Sequence, residues 1–227
     1  MAVRSASEGI LSPSIKGKVV GESVHSREMA ESTILSGYSV ENFIPPLDII
    51  RILNKAKIRF VLLGIHGLVG WLGEPRQAQS VELVVPARSH QKAITTLSTH
   101  FANLVPGKDE SLLLDLKTQK PLIIVRRAGP LLLRKALQHT HEVKAGSHTY
   151  LIPSLEMAIA MKAPVISMIG ADPDKYMDGH DFMLMVKTNP EIDLEKLAEL
   201  GEQICLGGGR IILEKVRQVR AGEKLQL

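Results

Sequence analysis

The stretch Phe60-Val61-Leu62-Leu63-Gly64-Ile65-His66-Gly67-Leu68-Val69-Gly70-Trp71 decides how the rest of the chain is read. Its first part, Arg59 to Leu63, has the length and β-branched content of a buried strand. Gly64 then permits a tight turn that a Cβ would obstruct. Gly64, Gly67, Gly70 and Gly73 recur every third residue, which sets the smallest side chains roughly along one face of a helix. Another element can then approach that backbone closely. The spacing is not the Gly-x-Gly-x-x-Gly of dinucleotide folds. A second apolar run follows at Ser80-Val81-Glu82-Leu83-Val84-Val85. On a strand, Ser80 and Glu82 share one face while Val81, Leu83 and Val85 take the other.

Working outward, Leu47, Ile49, Ile50 and Leu53 give helical spacing just after Pro45-Pro46. Downstream, Ser89 is placed to cap a helix from His90 to about Phe101, and residues 101–107 turn the chain. Ser111 to Leu116 is a third apolar strand with one carboxylate, Asp115, and it reads as a hairpin with Leu122 to Arg126. A short helix over 130–140 and two edge strands around Ala145-Gly146-Ser147 follow. The remainder reads as helices. The first runs from Leu155 to about Lys162, limited by Ala163-Pro164. Others run from Lys175 to Lys187, Asp193 to Cys205 and Ile211 to Gln218.

The chain of 227 residues, 44% hydrophobic, suits one moderate domain with a tail or two small domains. Residues 1–44 lack apolar periodicity and read as a mobile N-terminal tail able to dock on a protein partner. Residues 45–152 form an α/β core, and 153–227 a helical portion packed on it. Net charge is +4 and the isoelectric point about 9.2, which favours an anionic partner. Only 4% of residues are aromatic, so base-stacking platforms are not expected. The single cysteine, Cys205, fits a reducing compartment, and no apolar run is long enough to span a bilayer. A cytoplasmic protein with no membrane partner is the resulting expectation. His139, His141 and His148 lack a supporting cluster at a metal-ligand spacing and read as ordinary surface histidines. Gly207-Gly208-Gly209 reads as a flexible helix–helix turn, with an anion-binding nest as the alternative.

A strand, a glycine turn with a helix, a strand with polar residues at i and i+2, and a later strand with one more carboxylate resemble the nucleotidyltransferase fold of the DNA polymerase beta-like superfamily. More narrowly, the pattern is similar to the group related to abortive-infection toxin nucleotidyltransferases. Gly64 and His66 fit the family's first element. Arg76, Ala78, Ser80 and Glu82 occupy the second, and Asp115 is placed like the third carboxylate. Met157-Ala158-Ile159-Ala160-Met161-Lys162-Ala163 fits a helix motif of the family. Lys175-Tyr176-Met177-Asp178-Gly179-His180-Asp181 fits the element after it, with Lys175 in place of an arginine and Met177 in place of a lysine. Ser80 stands where the family has its first metal-binding aspartate.

The resemblance implies an α/β (α+β) fold, a nucleotidyltransferase-like mixed sheet flanked by helices with a helical C-terminal portion. It implies Mg-dependent transfer of a nucleotide from an NTP to RNA, protein or a small acceptor. Glu82 and Asp115 would hold magnesium beside Ser80. Gly64, His66, Arg76, Lys162, Asp178 and Asp181 would bind the nucleotide. Carboxylates are the hard oxygen ligands that two magnesium ions need, and a serine hydroxyl is a weaker one. Loss of one such carboxylate costs several kcal/mol of transition-state stabilisation, roughly a thousandfold in rate. Two readings therefore stand open: a weakly active or inactive descendant of the enzyme, and a non-catalytic nucleotide-, RNA- or protein-binding module, as a subunit of a larger assembly in one version. The bland alternatives are a solvated or ion-paired Glu82, a turn-proximal Asp115, a packed His66 and ordinary surface charges at Lys162, Asp178 and Asp181.

Overall fold

The computed structural model describes residues 44–73, 78, 80–109, 111–167 and 173–223. Helix α1 spans Pro46–Lys55, with proline in its first turn, where the missing N–H costs nothing. Its buried stripe is Ile49, Ile50 and Leu53. Strand β1, Val61–Leu63, runs straight into α2, Gly64–Leu72, with Gly64 at φ +55°. That left-handed conformation at the junction is one that glycine adopts without steric cost.

Strand β2 is Val81–Val85, followed by a 3₁₀ turn at Ala87–Ser89 and by helix α3, His90–His100. Ser89 makes no side-chain cap; it belongs to the 3₁₀ turn and bonds back to Pro86. Leu104–Pro106 forms strand β3 where the sequence suggested only a turn. β4 is Leu112–Asp115 and β5 is Pro121–Arg127.

The five strands lie in the order β1-β2-β5-β4-β3. β1 is antiparallel to β2, β2 is parallel to β5, and β4 is antiparallel to both β5 and β3. The parallel β2–β5 pair needs a long crossover, and α3 with the β3–β4 ribbon supplies it.

Helix α4 is Leu131–Gln138, and the hairpin β6 (Thr140–Ala145) and β7 (His148–Pro153) forms a second, two-stranded sheet. Four helices follow: α5 Leu155–Ser167, α6 Pro173–Thr188, α7 Leu194–Ile204 and α8 Gly208–Arg220. α5 carries Pro164 inside it rather than stopping there. Asp193 caps α7, accepting from the Lys196 N–H at 3.0 Å. One continuous apolar core runs from the strands Val61–Leu63 and Leu83–Val85 into Met157, Phe182, Leu197 and Ile212 of the helical portion. Among the described residues no helix is long and apolar enough to cross a membrane.

The glycine-rich segments are sites of close packing. A Cβ on Gly67 would sit 2.3 Å from the Leu62 carbonyl oxygen of β1. At Gly208 a Cβ would lie 2.3 Å from the Gly201 carbonyl oxygen. Gly208 and Gly209 are therefore where α7 and α8 cross backbone to backbone, and the N–H groups of Gly207 and Gly209 donate to the Glu202 carboxylate at 3.0 and 3.3 Å, so the nest is filled by an anion of this chain's own α7. His141 is also not an ordinary surface histidine. Its ring meets Trp71 edge to face at 5.1 Å, and the Trp71 indole N–H donates to the Pro153 carbonyl at 3.0 Å.

Candidate functional site

Strand register sets the geometry around Glu82. Glu82 lies opposite Leu63, the last residue of β1, so its side chain meets the start of α2. A Cβ on Gly64 would be 3.3 Å from Glu82 Oε2. The glycine thus leaves room for a carboxylate at the N-terminus of α2, where the helix dipole favours negative charge. On its other side Glu82 is level with Ile124 of β5, in parallel register. Two residues further along β5, on the same face, comes Arg126, and its guanidinium Nε donates to Glu82 Oε1. The residue on the neighbouring strand nearest to Glu82's carboxylate is therefore a cation. Arg126 has no counterpart in the sequence-based set of site residues. Its signal is the pairing of β2 with β5, which lies 44 positions away in the chain.

Asp115 is not beside Glu82. Ile124, level with Glu82, pairs with Leu112 at the far end of β4. The Asp115 N–H bonds the Lys120 carbonyl at the start of β5. Two strand spacings across and four residues along give roughly 16 Å between the two carboxylate positions. Asp115 is occupied by its own turn. Its Oδ1 accepts from the Thr118 N–H at 2.7 Å, the Thr118 hydroxyl at 2.9 Å and the Lys117 N–H at 3.1 Å. The Thr118 N–H, followed by its hydroxyl, holds the Asp115 carboxyl below the usual aspartate range. Of the readings the sequence left open, the turn-bound one describes Asp115. Asp115→Ala is expected to loosen the β4–β5 turn and lower the melting temperature, with Asp115→Asn intermediate; thermal scans of the three proteins check this.

Ser80 stands in a bend directly before β2, half-buried, two residues from Glu82. Magnesium wants several hard oxygens in near-octahedral array. Ser80 offers a neutral hydroxyl, Glu82 is held by a guanidinium, and Asp115 is remote and hydrogen-bonded elsewhere. This donor set does not fit magnesium. Among the described residues, no group of three or more His, Cys, Asp and Glu side chains is placed to hold a metal ion.

His66 is not reachable by a ligand. It is 1% exposed inside α2, and burial lowers its pKa from 6.5 to about 4. The neutral ring is part of the packing. Its unfolded counterpart takes a proton below about pH 6.5, whereas the folded form does so only near pH 4. Stability is thus full above pH 6.5, falls as pH drops through that window, and levels below pH 4. The difference of about 2.5 units is worth about 3 kcal/mol at its limit. Urea unfolding at pH 7 and pH 4.5 should show most of this loss in the native protein and a much flatter response in His66→Leu. Equal pH slopes would contradict it.

Lys162, Asp178 and Asp181 do come together. The Lys162 ammonium donates to Asp178 and, at 2.9 Å, to Asp181 Oδ2. Asp178 and Asp181 share one side of α6, as their spacing predicts. All three are largely screened from solvent, so they clamp α5 to α6 rather than stand as loose surface charges. Arg76 lies outside the described residues.

This arrangement is a mixed α/β architecture of the nucleotidyltransferase-like class. A solved chain described as the crystal structure of an antigenic nucleotidyltransferase-like protein from Paracoccidioides brasiliensis superposes with a TM-score of 0.55. It covers 88% of this chain and 95% of its own, at 15% identity. No family model and no curated protein matches the sequence.

Proposed function

We propose that the chain is a nucleotidyltransferase-fold protein that works as a binding module and no longer transfers nucleotides by a metal-dependent route. The observation that carries this is the Glu82–Arg126 pair. Transfer through this fold relies on carboxylates gathered around metal ions. Here Ser80 is neutral, the face of β5 beside Glu82 bears a guanidinium, and Asp115 belongs to a turn. The Lys162–Asp178–Asp181 cluster that the family resemblance implicates is assembled, but its one ammonium is engaged by two carboxylates, so the cluster serves the fold and does not recruit a triphosphate. Magnesium has no role in this reading.

The test is incubation of the protein with α-labelled ATP, GTP, CTP and UTP, Mg²⁺ or Mn²⁺, and RNA or protein acceptors. The expected result is no label above that of a protein-free control. Metal-dependent incorporation that disappears in Glu82→Ala would overturn the proposal and restore the transferase reading.

A further inference from the structure

We propose that the edge of the sheet at the carboxyl ends of β2 and β5 docks the phosphate backbone of a nucleic acid. This rests on the binding role proposed above and names the partner. Arg127 lies beside Val85, the last residue of β2. Arg88 follows Val85 by three residues, in the Ala87–Ser89 turn. On the other side of β2, Val61 pairs with Val84, which brings Arg59, two residues earlier, to the same end. Arg134 lies on α4, which packs against β2. All four arginines are exposed. Across β1, β2 and β5 they span about 10 Å of edge at ordinary strand spacing.

Two of the four are held in place by the backbone. Arg59 Nη2 donates to the Leu137 carbonyl at 2.7 Å, and Arg134 Nη1 donates to the Gly129 carbonyl. A carbonyl fixes the guanidinium without neutralising it, so the remaining N–H groups keep their full charge. Of the carboxylates that strand register places near this edge, Glu82 is matched by Arg126, and Asp109 of the β3–β4 turn accepts from the Ser111 N–H at 2.9 Å. Among the described residues none of the four arginines forms an ion pair with a carboxylate.

The chemistry points to phosphate. Guanidinium forks suit phosphate oxygens, and the carboxyl ends of parallel strands are where open α/β sheets receive ligands. Among the described residues the large exposed apolar side chains are Leu116, Leu131, Tyr176, Met177, Leu194 and Leu206, and of these only Leu131 lies on α4. The edge thus offers neither an aromatic platform for bases nor an apolar anchor for a membrane. It reads charge and shape, with little preference for sequence.

The test is fluorescence polarisation of the full chain with labelled RNA and DNA of roughly 20 nucleotides at about 50 and 200 mM salt. Binding is expected at low salt and a steep loss at high salt. Arg88→Gln/Arg127→Gln removes two exposed charges. It should weaken binding about tenfold and flatten the log–log salt dependence by roughly 1.4–1.8, at 0.7–0.9 per phosphate contact. Arg210→Gln/Arg217→Gln on α8 is the control and should stay within about twofold of native. Far-UV circular dichroism melts confirm that both variants fold. No binding at low salt, equal affinity of native and edge variant, or equal loss in the control would overturn the proposal. Displacement of RNA by polyglutamate as effective as by unlabelled RNA would show an acidic-peptide site instead. If RNA fails and no transfer is found, the binding role stands with another ligand; metal-dependent transfer defeats the role whatever RNA does.

Discussion

Ser80→Asp alone is expected to leave the protein without a useful metal site, whereas Ser80→Asp/Arg126→Asp should bind Mn²⁺ about a hundredfold more tightly than the single variant. The restored aspartate of the single variant sits two residues from a carboxylate that Arg126 still holds. A metal ion entering there must displace the guanidinium and meets a positive charge within a few ångströms. At an effective dielectric constant of about 20, a divalent ion and a unit charge 4 Å apart interact by about 8 kcal/mol. Arg126 is 47% exposed, so solvent screening and the freedom of its side chain to swing out toward water reduce this to about 2–3 kcal/mol, or roughly two decades in affinity. The Arg126→Asp change removes that charge and adds a hard oxygen ligand on the strand hydrogen-bonded to β2. Loss of the partly exposed ion pair costs the fold no more than about 1 kcal/mol. Electron paramagnetic resonance titration with Mn²⁺ is the direct measurement. Adding Glu82→Ala to the double variant should abolish the gain. If Ser80→Asp binds as tightly as the double variant, Arg126 is not what keeps metal away.

The sequence carries β1, the glycine turn and β2 in plain view because each is local. An apolar run, a residue free to take positive φ and a second apolar run are all read within 26 consecutive residues, 60–85. It also carries the helical portion and the shared side of Asp178 and Asp181, whereas Asp193, which reads as the first residue of a helix, is in the structure its cap. The order of the sheet is not local. β5 inserts between β2 and β4, and nothing near Arg126 announces that it will face Glu82. Strand pairing is decided by packing across distant segments, so the residue that defines the site's charge was invisible until the register was known.

Asp115 is a different case. An apolar run with one carboxylate resembles a catalytic strand, but Thr118 three positions later already offered an Asx-type turn. Two hydrogen bonds from Thr118 turned that local signal into the observed structure. Pro164 shows tertiary packing overriding propensity. The helix continues past it with Ala163 before the proline and Ile166 after it both buried in the core. His141 followed the same logic in reverse, since only the folded hairpin brings it to Trp71.

Gly67→Ala is expected to destabilise the protein by about 3 kcal/mol or more, although alanine is the better helix former. In an exposed helix the change would gain about 1 kcal/mol. Here the new methyl would lie 2.3 Å from the Leu62 carbonyl oxygen, 2.9 Å from its carbon and 3.4 Å from Pro153 Cδ. The nearest two atoms are backbone of β1, which is fixed by its ladder with β2. Side chains that can rotate away limit overpacking to about 1–3 kcal/mol in ordinary cores; a fixed strand cannot rotate away, so the cost lies at or above the top of that range. At about 2–4 °C per kcal/mol for a domain of this size, the melting temperature should fall by roughly 10 °C. Gly129→Ala is the control, because a Cβ there meets nothing within 4 Å, and its melting temperature should move by a degree or two at most. Separation of α2 from β1 would also withdraw Gly64 from Glu82, so in the Ser80→Asp/Arg126→Asp background Gly67→Ala should weaken Mn²⁺ binding well below the unfolding midpoint. A Gly67→Ala protein that melts with the native one would mean that α2 can slide on the sheet. The placement of the Glu82 carboxylate at the head of that helix would then not be fixed by the fold.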